Sequence, residues 1–265
     1  MVPLFLLNNN MKYIILISGI LMILIGTIVV SVPLYTLDTH ENITTPIKQI
    51  LYNDGFQNYS DIISTYESEL INGVRDEDNG INSKNHFFNP LTGDGLGGFK
   101  SSAILAQEHF SVAVNYWKSG EESLAIYWLG RTLHLIQDST VPHHAALALL
   151  NNHEDYENWL EGSGTLYTTA IHGNYQYDNI YDYIYNNSIT SLSYFQYCDG
   201  ISPDNYPLCG ENLIPLAQSS SAGIVVLFFE TEGINIQPSM DLGELGLVCI
   251  IFGFFLCLVG YFKKR

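Results

Sequence analysis

The sequence predicts an all-α domain flanked by N- and C-terminal transmembrane helices. Three observations predict it. Apolar residues recur at helical spacing through residues 41–72, 100–139 and 213–231, and no stretch shows a convincing strand alternation. An uncharged apolar run stands near each end of the chain. Between the two runs, imidazoles and carboxylates crowd into 24 residues, as His134-x3-Asp138-x5-His144-x8-His153-x3-Glu157.

Bulk composition narrows the function classes. The chain has 265 residues and a net charge of −17, from 10 basic and 27 acidic side chains. That length suits one sizeable domain. The acidic balance argues against a nucleic-acid partner, because phosphate contacts need clustered Lys and Arg. It suits a water-facing domain that holds divalent cations. Charged residues make up 14% of the chain and apolar ones 47%, a skew that membrane segments explain.

Residues 1–37 read as a membrane anchor or a signal segment. Ile14 to Val32 is a 19-residue apolar run, close to the roughly 20 residues that a membrane-crossing helix needs. A secretory signal peptide is the rival reading, although the run is long for one and no clear small-x-small cleavage site follows. Residues 38–234 form the helical domain, and 235–244 a linker. Residues 245–265 give a second apolar run, Leu245 to Phe262, capped by Lys263, Lys264 and Arg265. Such a basic tail stays cytoplasmic. An uncleaved first segment then puts both termini inside the cell and the domain outside. Cys198 and Cys209 flank a short loop, and an exterior location allows a disulfide between them, with two free thiols as the alternative. Cys249 and Cys257 fall in the second apolar run as small apolar residues.

Within the domain, residues 41–72 read as mostly helical, broken at Asp54-Gly55. A loop rich in Asn, Asp and Gly follows over 72–98 and carries Asp78 and His86. Residues 100–118 make an amphipathic helix that Gly120 ends. The next helix runs to about Ser139. Its apolar positions go nearly all round, which predicts burial. Pro142 closes it, with His144 just beyond. Further helices are expected from 154, around 177–197, and over Leu213 to Thr231.

His134 and Asp138 are four residues apart, and so are His153 and Glu157. Each pair therefore shares a helix face. Neutral imidazole with carboxylate is a ligand set for Zn²⁺. Two such pairs facing each other in a bundle core make a multinuclear site. A lone His on a helix is more often a satisfied core or surface residue than a ligand. Here two pairs and the intervening His144 outweigh that reading. His109, His143 and His172 lack such company and take the ordinary role, with His143 near enough to pack behind a ligand.

The stretch LGRTLHLIQDSTVPHHAA, followed by HEDYENWL, resembles the zinc-dependent phospholipase C family, which includes the secreted bacterial phosphatidylcholine-hydrolysing enzymes and the catalytic domain of clostridial alpha-toxin. NHFFNPLTG, ELINGVRDED and LAQSSSAGIVVLFFETEG match further segments, so the likeness spans roughly residues 40–233. The resemblance implies a single phospholipase C/P1 nuclease-like domain and two or three Zn²⁺ ions. Asp78, His86, His134 and Asp138 would hold one ion, with Asp138 bridging to a second. His144, His153 and Glu157 would hold another, and His40 matches the family's early His. Asp78 would also be the general base. Phospholipid or another phosphodiester would be the substrate, a bilayer the partner, and no nucleic acid is expected.

This chain departs from the family's pattern in three places. No Trp precedes His40, and an uncleaved first segment leaves no free amino group nearby, so the His40 site would be incomplete, weaker or completed by other groups. Asn79 and Ser83 stand where the family recognises choline with aromatic rings, and Asn89 stands where many members have Asp. S1/P1-type single-strand nucleases are similar but generally have Asp where this chain has Glu157. A phosphatase-like hydrolase on the same fold, or a non-catalytic domain stabilised by metal, is a further alternative.

Overall fold

The computed structural model describes residues 37–79, 81–150, 152–163, 169–199 and 203–231. Both apolar end runs, the linker 235–244, the basic tail, Cys249 and Cys257 lie outside the described residues. Ten α-helices are described, joined by loops and short 3₁₀ turns, and no strand occurs among these residues. They are α1 (Leu37–Thr44), α2 (Ile47–Asn53), α3 (Gln57–Thr65), α4 (Glu67–Asp76), α5 (Ser102–Lys118), α6 (Glu122–Asp138), α7 (Pro142–Ala146), α8 (His153–Ser163), α9 (Ile180–Cys198) and α10 (Tyr206–Thr231).

Helix α6 lies at the centre and packs against α4 on one side and α5 on the other. Its first turn carries the acidic Glu122, which favours a helix start. Burial is uneven along it. Leu124 is exposed, while every residue from Thr132 to Asp138 is buried. The expected all-round burial therefore holds only for the C-terminal half, which is the half that carries His134 and Asp138. Two glycines set the α4–α6 crossing. A Cβ on Gly73 would come within 1.9 Å of the Tyr127 carbonyl oxygen, and one on Gly130 within 2.2 Å of the Leu70 carbonyl oxygen. The two backbones are in contact there, and the end of α4 is pinned beside the ligand-bearing half of α6.

Several boundaries differ from the sequence expectation. The stretch 41–72 is four short helices, and α4 runs on to Asp76. Pro142 opens a helix instead of closing one. It sits in the first turn of α7, where its missing N–H is no loss, and Leu147 ends that helix in the left-handed conformation at φ 54°. His144 is thus inside a short helix. Helix α10 begins at Tyr206 and continues through Pro215. The carbonyl deprived of its partner is that of Glu211, on the exposed side, where water can satisfy it.

Pro203–Thr231 is the single helical stretch among the described residues that is long and apolar enough to cross a membrane, and most of its apolar window is buried inside the protein. Ile224, Val225, Phe228 and Phe229 of α10 join the core made by α2, α5 and α6. Cys198 and Cys209 form a disulfide that ties the end of α9 to the start of α10, so the free-thiol alternative is excluded.

Candidate metal centre

Six segments converge behind the C-terminal half of α6. Helix α1 brings His40, the segment after α4 brings Asp78, and the loop before α5 brings His86. Helix α6 brings His134 and Asp138, α7 brings His144, and α8 brings His153 with Glu157. The side chains form three groups, each with its ligand atoms within 4.8 Å of one another: His40, His134 and Asp138; Asp78, His86 and His134; His144, His153 and Glu157. His86, His134 and Asp138 have no exposed side-chain surface, and Asp78 is the most open member at 13%.

Asp138 is central. Its Oδ2 lies 2.9 Å from His86 Nδ1 and 3.2 Å from His134 Nε2. Its Oδ1 lies 3.6 Å from His40 Nε2 and 3.4 Å from His144 Nδ1. The two oxygens thus face different sets of imidazoles, the disposition a bridging carboxylate needs. Asp78 Oδ1 closes one group, 3.4 Å from His134 Nε2 and 3.8 Å from His86 Nδ1. On the other side His144 Nε2 and His153 Nε2 are 3.0 Å apart, with Glu157 Oε1 at 3.6 and 2.7 Å.

Hydrogen bonds behind the rings fix which nitrogen faces inward. His134 Nδ1–H donates to the Val74 carbonyl at 2.9 Å, which leaves Nε2 for the centre. His40 Nδ1–H donates to Gln137 Oε1 at 2.7 Å, and the Gln137 amide in turn donates to Thr44 Oγ1 at 2.9 Å. His134 therefore has one inward nitrogen for two groups. Among the described residues, two ions can each find three protein ligands, and a third position beside His40 has His40 and Asp138.

The donor set fits divalent cations. Asp78 Oδ1, both Asp138 oxygens and Glu157 Oε1 are buried with no hydrogen-bond partner of normal geometry. Buried anions of this kind are costly unless neutralised. Without an ion, protons take that role unevenly. Burial and the neighbouring His134 push His40 down to about 4, and burial pushes His144 down. His86 rises to about 9 because the adjacent Asp138 and Glu77 carboxylates outweigh its burial. Against the same burial, the His134, His144 and His86 rings hold Asp138 well below the carboxylate range.

Phe87 packs its ring on His144 at 4.6 Å and on His153 at 6.0 Å. His143 stacks behind His153 at 5.1 Å. His172 is remote and pairs with Asp54. Nothing in the sequence singles out Gln137 or Glu77. Both are buried and contact a member of the cluster, yet neither belongs to a spaced pair.

The helical bundle has counterparts among solved structures. No protein-family profile and no curated protein sequence matches this chain. The fold matches that of the alpha toxin from Clostridium absonum, with a TM-score of 0.67 at 18% identity over 77% of this chain and 67% of the toxin chain. It also matches the Clostridium perfringens alpha-toxin from avian strain SWCP, with a TM-score of 0.63 at 17% identity over 78% and 68% of the two chains. At such identity the likeness establishes the fold. Both structures are alpha-toxins, the group to which the sequence motifs point.

Proposed function

We propose that this protein is a zinc-dependent phosphodiester hydrolase of phospholipase C type that acts on lipid head groups at a membrane surface. The observation that carries the reading is the convergence of eight ligand-type side chains, Asp138 among them, in three neighbouring groups on the fold of the alpha-toxins. Asp78, His86, His134 and Asp138 would hold one ion, with Asp138 also reaching the position beside His40, and His144, His153 and Glu157 would hold another. Bound zinc supplies Lewis acidity there: it lowers the pKa of a coordinated water to about 7 and neutralises charge on phosphoryl oxygens.

The chain's own residues do the rest. Val74 and Gln137 hold His134 and His40 in the tautomers that turn Nε2 inward. Phe87 walls one side with hydrocarbon and excludes water from His144 and His153. Asp78 sits at the open rim and is the member placed to take the proton of an attacking water. Water would cleave the ester bond, leaving a neutral lipid alcohol and a phosphorylated head group. The apolar runs 14–32 and 245–262 support a membrane tether from sequence alone. A net charge of −17 favours uncharged or zwitterionic lipid surfaces over anionic ones.

The purified protein with zinc is expected to release phosphorylated head groups from zwitterionic vesicles and to stop when a chelator is added. Cleavage of single-stranded DNA in place of lipid would assign a nuclease. Metal at full stoichiometry with neither activity would assign a structural centre.

A further inference from the structure

Glu77 stands next to Asp78, at the end of α4, and is fully buried. Its two oxygens look in different directions. Oε1 faces His86 Nε2 at 3.7 Å. Neither of those two atoms has a hydrogen-bond partner of normal geometry, and both are buried. Oε2 accepts from Arg131 Nε at 2.5 Å and lies 3.0 Å from His109 Nε2. Arg131 is on α6, three residues before His134, and packs over the Trp128 ring at 4.9 Å. His109 is on α5 and leans on the same ring at 5.1 Å.

We propose that Glu77 is a positioning residue for the metal centre: it holds His86 with Nδ1 turned toward Asp78 and His134, and Arg131 and His109 lock it in place. The proposal rests on the reading of the cluster as a metal centre. His86 comes from a loop, whereas His134 and Asp138 are fixed by a buried helix. A loop ligand needs an anchor behind its outer nitrogen, and Glu77 is the group facing that nitrogen. A carboxylate behind an imidazole fixes the ring's tautomer and raises its basicity as a ligand. Arg131 keeps the buried carboxylate from standing as an isolated anion. It also fastens the anchor to the helix that carries the other two ligands, so His86 is held in register with His134 and Asp138.

The test measures metal binding. In the full chain, Zn²⁺ affinity is read by chelator competition and site geometry by the visible spectrum of bound Co²⁺. Glu77→Gln is expected to weaken one ion about 10- to 100-fold and to alter its Co²⁺ bands, with the other ion unchanged. That variant strands Arg131, so the double variant Glu77→Gln/Arg131→Gln removes the pair together. The double variant is expected to regain fold stability while keeping the weakened site. Arg131→Gln alone leaves Glu77 facing His86 and held by His109, and is expected to weaken the same ion by less than Glu77→Gln does.

Unchanged affinity in Glu77→Gln overturns the proposal. So does recovery of both fold and native affinity in the double variant, or its failure to fold, or an Arg131→Gln loss as large as that of Glu77→Gln. Wild-type protein that binds no metal overturns the metal-centre reading itself, an outcome distinct from these.

Discussion

Asp138 faces four imidazoles with two oxygens, and the i, i+4 partner His134 made it visible in sequence. Asp138→Asn removes the shared charge and is expected to weaken metal both at Asp78, His86 and His134 and at the position beside His40, as read from zinc content after equilibrium dialysis. Loss of only one ion would show that the carboxylate serves a single site. Asp54 carries a prediction of a different kind. His172 Nδ1–H donates to its Oδ1 at 2.6 Å, and Tyr175 Oη–H and the Gly173 N–H donate to its Oδ2 at 2.6 and 2.8 Å. Burial alone would raise its pKa, but these three donors hold it below the ordinary 3.8. A carboxyl lowered on folding stabilises the protein above its unfolded value and loses that contribution as pH falls through the folded one. Asp54→Asn is therefore expected to cost about 1 to 3 kcal/mol near neutral pH, and the difference from wild type should shrink in acid. Urea melts at both pH values measure it. Neither Asp54 nor Glu77 was legible in the sequence. The side-chain partner of Asp54 is 118 residues away and that of Glu77 is 54 away, and neither acid belongs to a pair spaced along a helix face.

At the level of elements, the α4–α6 crossing is the joint on which the centre depends. Gly130→Ala would drive a methyl into the Leu70 carbonyl oxygen and separate α6, which bears His134, from α4, which leads into Asp78. It is expected to lower stability by about 1 to 3 kcal/mol and to weaken zinc binding. Gly162→Ala is the control, since a Cβ there meets nothing within 4 Å and the site is helical and exposed. It should raise stability by up to about 1 kcal/mol. Paired thermal melts compare the two. Sequence periodicity reveals α5 and α6 well, because α5 presents a sustained apolar stripe and α6 is apolar on most sides. It misses the division of 41–72 into four helices, where each piece is too short for a period to show. It also sets the start of α10 at Leu213, too late, since the helix begins at Tyr206.

For the whole molecule, the all-α class was legible from periodicity, and the alpha-toxin fold from motif spacing. The meeting of six segments was legible through the resemblance alone, because bringing residues 40 to 157 together is a tertiary event that spacing on single helices does not encode. The pairing of Cys198 with Cys209 was half legible: proximity allowed it, and the packing of α9 against α10 decided it. Enclosure of the centre has a further consequence. With Asp78 as the only ligand touched appreciably by solvent, substrate and scavenger must share one doorway. A non-hydrolysable phosphodiester lodged there is therefore expected to shield the ions. Zinc extraction by a bulky chelator, followed in time with a colorimetric dye, should slow in its presence, and an unchanged rate would mean that the ions leave by another route.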